Sequence, residues 1–171
     1  MERPSNLYDL CDQVCESIAA RPQNYMQQRW AATEPKRTLE VECGSDTAAR
    51  LIAKHEMCGT AYCRAGWMLS ILRDGPVNEQ HNISNTVMNL LHKAGVPPSD
   101  TDKLFNGSQA GPLSTWGTPG YVQKGITGVR EFMAKHEQTL KNAQLVYGAN
   151  PGEVDVQVMP VGGLAKRSTH E

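Results

Sequence analysis

The sequence has no apolar run long enough to cross a bilayer. Charged or polar side chains interrupt every apolar stretch well short of the ~18 residues a span needs. Met1-Glu2-Arg3-Pro4-Ser5-Asn6 has no apolar segment behind it, so no secretory signal is expected. Together these absences give the expectation of a cytoplasmic protein without membrane contact, in which the sequon Asn82-Ile83-Ser84 has no use. Aromatic residues are scarce at 6%, which leaves Leu, Ile, Val, Met and Ala to build the interior. An excess of one charge is also lacking. Lys+Arg number 17 and Asp+Glu 18, for a net charge of −1, which argues against a nucleic-acid partner. There is no phosphate-binding Gly-rich loop, no His-Glu-x-x-His and no Gly-x-Ser-x-Gly. No Cys-x-x-Cys knuckle occurs either, and the five cysteines, an odd number, do not suggest a disulfide framework.

What is present suits one domain of modest size. The chain has 171 residues, 39% of them hydrophobic, enough for a real core. Gly 15 and Pro 10 imply short helices with frequent breaks. Leu7, Leu10, Val14 and Ile18 recur at helical spacing and predict a helix over Asn6–Ala20, with Ser5 or Asn6 as cap and Arg21-Pro22 as stop. Asn24–Ala32 suggests a short second helix around Tyr25, Met26 and Trp30. Thr33–Ser45 reads as a loop with a short strand at Thr38–Glu42. Thr47–Met57 is weakly amphipathic and fits a helix or an extended loop.

Thr60–Arg73 is the most apolar helix candidate, capped by Thr60 and stopped by Asp74-Gly75-Pro76. A further helix runs from Asn82 or Ser84 to Ala94, closed by Gly95 and Pro97-Pro98. Ser99 then caps a short turn to Phe105. Thr118-Pro119 opens a last helix that continues to about Leu140, and Gly125 and Gly128 within it suggest close helix packing. Val154, Val156 and Val158 alternate with polar residues and suit one strand, which needs a partner to be stable. The reading is a mainly α fold: a compact bundle of about five short helices over residues 5–147, with a β-like or flexible tail over 148–171.

The densest feature is Met57-Cys58-Gly59-Thr60-Ala61-Tyr62-Cys63-Arg64-Ala65-Gly66-Trp67. Two cysteines flank a helix start, where N–H groups and the helix dipole lower a thiol pKa. Cys58 lies just before that start and Cys63 about one turn inside. His55 stands near enough in sequence to serve Cys58 as a base. Packing competes with this reading, because cysteine is among the most buried residue types. A zinc site from Cys11, Cys15, Cys58 and Cys63, with or without His55, is a third reading, although neither pair has knuckle spacing. The Gly-x-x-x-Cys start loosely resembles the nucleophile helix of transglutaminase-like and papain-like enzymes. The chain departs from them because His81, His92 and His136 fall in expected loops or helices, not on a strand.

The string Cys58-Gly59-Thr60-Ala61-Tyr62-Cys63-Arg64-Ala65-Gly66-Trp67 also resembles a Cys-Gly-Thr-x-x-Cys-x-Ala-Gly-(Trp/His) signature of small uncharacterised proteins of bacteria and their phages. Pro22-Gln23-Asn24-Tyr25-Met26 with Trp30 is similar to their upstream segment, and Leu104-Phe105 to their downstream one. The resemblance spans about Leu7 to Leu140. It implies a small helical protein of a bacterial or phage-infected cell, and it brings no catalytic residue. Arg64 stands where that signature commonly has an apolar residue. The functional expectation is a non-enzymatic accessory protein that acts through a protein partner, without a cofactor. The alternatives are a cysteine-dependent hydrolase or acyltransferase using Cys58 or Cys63, and a zinc-stabilised helical module.

Overall fold

The apolar stripe near the N-terminus folds as its spacing predicts. Helix α1, Leu7–Ala20, is capped by Asn6, whose side chain accepts from the Asp9 N–H at 2.8 Å. Leu7, Leu10, Val14 and Ile18 are buried, and Cys11 and Cys15 beside them are buried too. Each such aliphatic side chain contributes about 1.5–3 kcal/mol by leaving water. The structure is a computed structural model that describes residues 2–27, 31–32, 35–54, 61–78, 81–105 and 115–160.

Seven more helices lie among the described residues: α2 Pro35–Cys43, α3 Ser45–Lys54, α4 Arg64–Arg73, α5 Ile83–Ala94, α6 Pro98–Phe105, α7 Pro119–Lys135 and α8 Glu137–Asn142. Helix α1 is central and packs on α4, α7 and α8. The chain is mainly α, as expected, with more and shorter helices than the periodicity alone separates.

Three differences from the sequence expectation have clear causes. The segment expected to be a helix over Asn24–Ala32 has a single 3-10 turn, Pro22–Asn24, followed by extended Tyr25. Main-chain partners elsewhere take over there: the Met26 N–H donates to the Tyr62 carbonyl at 2.9 Å, and strand β1, Ala31–Ala32, pairs antiparallel with β2, Ala61–Tyr62. Trp30 lies outside the described residues. The expected loop and strand over Thr33–Ser45 is helix α2 instead. Pro35 suits its first position, and Leu39 is fully buried while Val41 is 71% exposed. Alternation over Thr38–Glu42 imitates a strand, but residues two apart on a helix also fall on opposite sides. Gly44, with φ of +82°, turns directly into α3.

The third difference is the long last helix, which breaks at His136. The His136 Nε2 lies 3.0 Å from Asp100 Oδ2, and Lys135 Nζ lies 3.0 Å from Asp100 Oδ1. This clasp ties the end of α7 to α6. Lys135 first, and His136 with it, hold the Asp100 carboxyl below its usual range. A depressed carboxylate stabilises the fold above its unfolded pKa, about 3.9, and that contribution is lost as pH falls through the folded value. Asp100→Asn is therefore expected to lower the melting temperature at pH 7. The gap from the wild type should close steadily below about pH 4, as thermal melts from pH 7 to pH 2 would show.

The expected strand at Val154–Val158 forms and finds its partner within the chain. As β4 it pairs antiparallel with β3, Ala143–Tyr147, from Ala143 opposite Val158 to Tyr147 opposite Val154. Gly152, with φ of +80°, shapes the turn. Lys93 of α5 reaches Asp155 at 2.7 Å and holds the hairpin on the helices. The sequence-based division at residue 147 thus falls at the tip of a hairpin. On the other side of β3, Asn6 forms a bridge with Gln144 and the Leu145 N–H donates to the Ser5 carbonyl at 2.9 Å.

Candidate functional site

The signature segment divides at the edge of the description. His55, Cys58, Gly59 and Thr60 lie outside the described residues, so nothing places the Cys58 thiol or its expected base. From Ala61 onward the segment is strand β2 and helix α4. Cys63, expected one turn inside the helix, is its N-cap. It replaces Thr60 in that role, and its Sγ accepts from the Gly66 N–H at 3.4 Å. The side chain is buried. Burial pushes the thiol up to about 11, against a smaller downward pull from the Gly66 and Ala65 N–H groups. The helix start does lower this thiol's pKa, but desolvation is the larger effect and wins.

Cys11 and Cys15 face the core from α1. Burial raises the Cys11 thiol well above its ordinary value and carries Cys15 to about 11. No group of three or more His, Cys, Asp or Glu side chains able to hold a metal occurs among the described residues. Half-buried Cys43 differs from these three. Timed alkylation of native protein at pH 7.5 is expected to label Cys43 well before Cys11, Cys15 and Cys63, which should react only after denaturant is added. Peptide mapping would read the order.

Arg64 has a role that the sequence reading left open. Its side chain is 1% exposed, and no carboxylate pairs with it among the described residues. Three main-chain carbonyls take its place. Nη1 donates to Leu104 at 2.7 Å, Nε to Gly125 at 3.1 Å and Nη2 to Lys124 at 3.1 Å. Leu104 lies in the last turn of α6, where carbonyls lack helical partners and the dipole favours a cation. Gln27 serves the same helix end, its Nε2 donating to the Phe105 carbonyl at 3.2 Å.

Around these two side chains lies a buried polar hub. Tyr25 Oη donates to Gln27 Oε1 at 3.0 Å, and the Gln27 N–H donates to Tyr121 Oη at 2.9 Å. Trp116 Nε1 donates to the Tyr25 carbonyl at 2.9 Å. Burial pushes the Tyr25 phenol up to about 12, so it stays protonated and donating. The hub fastens strand and loop segments to α6 and α7, and its hydrogen bonds are satisfied from within.

A different region is left unsatisfied. A groove of about 710 Å³ runs between α1, the end of α4 and the residues before α1. Trp67 of the signature forms part of its wall, with Tyr62, Ile71 and Gln13. Trp67 is 6% exposed, and its ring meets Tyr62 edge-on at 5.2 Å between centroids. Two buried polar atoms without a partner are found among the described residues, Trp67 Nε1 and Gln13 Oε1, and both belong to this wall. A buried donor or acceptor left unpaired costs about 1–3 kcal/mol. Gln13 spends its amide nitrogen on the Glu2 carbonyl at 2.9 Å. The rim is balanced, with Arg3 and Arg21 against Glu2 and Asp74, all exposed.

Among the signature residues that are described, the structure thus separates three tasks. Cys63 caps a helix, Gly66 donates to it, and Trp67 walls a groove. The periodicity of α4 marks Trp67 as apolar and buried, and nothing in its spacing reveals an unpaired indole. Comparison with protein-family models, with curated proteins and with solved structures finds no match for this chain.

Proposed function

We propose that this chain is a non-enzymatic accessory module that acts by holding a segment of a protein partner, and that the groove walled by Trp67 is where it does so. The observation that carries the reading is the pair of unpartnered buried polar atoms on one wall, Trp67 Nε1 and Gln13 Oε1. Folding alone gains nothing from leaving them unpaired, whereas a bound molecule that pairs them recovers that cost. The chemistry available at Cys63 supports the same side of the choice. A thiol with a pKa near 11 is almost wholly protonated at neutral pH and is a poor nucleophile. Exposed charges at the rim cancel, so neither a polyanion nor a polycation is favoured. A reducing bacterial or phage-infected cytoplasm suits a chain whose described cysteines form no disulfide.

The test pairs binding with turnover. A displayed library of linear peptides, selected against the full chain, is expected to yield binders with a shared sequence pattern. The same protein is expected not to hydrolyse activated thioester or ester substrates. Turnover that disappears in Cys63→Ser would overturn the reading, since serine is itself a good helix cap and keeps α4 intact.

A further inference from the structure

The chain shows which kind of ligand group this groove takes. We infer that the groove binds an extended, uncharged stretch of peptide main chain, with the ligand's carbonyl accepting from Trp67 Nε1 and its N–H donating to Gln13 Oε1. This inference rests on the partner-binding reading above and names the chemistry of the contact.

Three observations carry it. First, the unpaired atoms are one donor and one acceptor. A carboxylate or phosphate could satisfy only the indole, and an ammonium only the amide oxygen. A peptide group carries both functions. Second, main chain already lies at this wall. Residues Glu2 to Asn6 form no helix, Glu2 offers its carbonyl to Gln13 Nε2, and Asn6 is extended at φ −146° and ψ 174°. A non-helical strap of the protein's own chain thus uses the same glutamine side chain that the ligand would share. Third, the rim pairs two guanidinium groups with two carboxylates, so the site has no net charge with which to select an ion. Ile71 and Pro76 add apolar surface for a side chain flanking the bound peptide group. Extended peptides commonly bind in this way, with main-chain hydrogen bonds giving affinity and neighbouring surfaces giving preference.

Both unpaired atoms are shielded in the ligand-free fold. The tryptophans provide an internal control, because the Trp116 N–H is already bonded to the Tyr25 carbonyl at 2.9 Å.

The experiment titrates the full-length ¹⁵N-labelled protein with N-acetyl-leucine methylamide, an uncharged probe holding two peptide groups, and follows the indole N–H signals. The Trp67 signal, identified by its loss in Trp67→Phe, is expected to move downfield and saturate while that of Trp116 stays still. Trp67→Phe and Gln13→Leu should each weaken binding about three- to tenfold, the loss of one hydrogen bond. Melting temperatures would establish that both variants fold. If Trp67→Phe does not fold, the Trp67 signal is assigned by through-bond connectivity in the wild type instead, and its shift and Gln13→Leu decide.

A Trp67 signal that remains fixed at saturating probe, or one that moves instead with acetate or phosphate, overturns the inference. Selected library peptides that bind wild type and both variants alike would overturn it and move the binding site away from these two side chains, while leaving intact the reading that the chain holds a partner segment. Cysteine-dependent turnover without any peptide binding would remove both.

Discussion

Replacing Arg64 by alanine is expected to unfold most of the protein. The guanidinium is enclosed and makes three hydrogen bonds, and bonds to a charged group are worth about 1.5–3 kcal/mol each. They do not add fully, but truncation also leaves a cavity, which for a large side chain costs about 2–5 kcal/mol. A total near 5 kcal/mol is comparable with the whole stability of many domains. The pattern across substitutions is more telling than this one value. In α7 the Lys124 and Gly125 carbonyls keep their helical partners without Arg64. The Leu104 carbonyl, in the last turn of α6, depends on the arginine. Arg64→Met fills the space and removes the buried charge, so it should cost clearly less than alanine. Arg64→Lys keeps the charge but cannot reach three carbonyls from one nitrogen, and should fall between them or below methionine. Urea unfolding of the three variants checks the order. Alanine tolerated as well as methionine would mean that the filled volume contributes little, and methionine as stable as wild type would mean that the carbonyl contacts do.

The second large effect is a reversal of sign at Gly125. In an ordinary exposed helix, glycine to alanine gains roughly 0.5–1 kcal/mol. In α7 a Cβ on Gly125 would stand 2.7 Å from Tyr25 Cζ and 2.9 Å from its hydroxyl. The Tyr25 ring cannot retreat. It is fully buried, packs on Tyr121 at 5.5 Å between centroids and donates to Gln27. Overpacking of this kind costs about 1–3 kcal/mol and disturbs the hub. Gly125→Ala should therefore destabilise by about 3 kcal/mol or slightly less. Gly120→Ala offers the control, since a Cβ there meets nothing within 4 Å. Denaturant midpoints of the two variants should move in opposite directions or leave Gly120→Ala near wild type. Equal behaviour would show that the close approach of Tyr25 is not rigid.

Several of these features were legible in the sequence and others were not, for physical reasons. Helix α1 announces itself because it lies on a core with one wet side, so its apolar residues repeat at helical spacing. Gly95 after α5 and Thr118-Pro119 before α7 mark helix ends by local chemistry alone, and the structure places them there. Gly125 and Gly128, read as allowing close helix packing, instead admit side chains, the Tyr25 ring from an extended segment and the Arg64 guanidinium. What failed was non-local. Tyr25 and Met26 sit in a helix-like composition, and their backbones are claimed by Tyr62, remote in sequence. Arg64 reads only as a departure from an apolar signature position, and its carbonyl partners on α6 and α7 come from remote sequence. The groove is least legible of all, since an unpaired indole N–H has no signature in one dimension.

The position of α1 has a consequence for how the chain folds. The helices that pack on it, α4, α7 and α8, all follow it in sequence, two of them starting more than a hundred residues after its own start. Asp12 pairs with Arg130, 118 residues later, and Tyr147 donates to the Pro4 carbonyl across 143 residues. Until α7 and α8 dock, α1 has α4 for only part of its native cover. Such long separations slow folding, because loop closure must precede the contacts that reward it. The contacts that seat α1, and with it the strap that borders the groove, therefore close some of the longest loops in the fold.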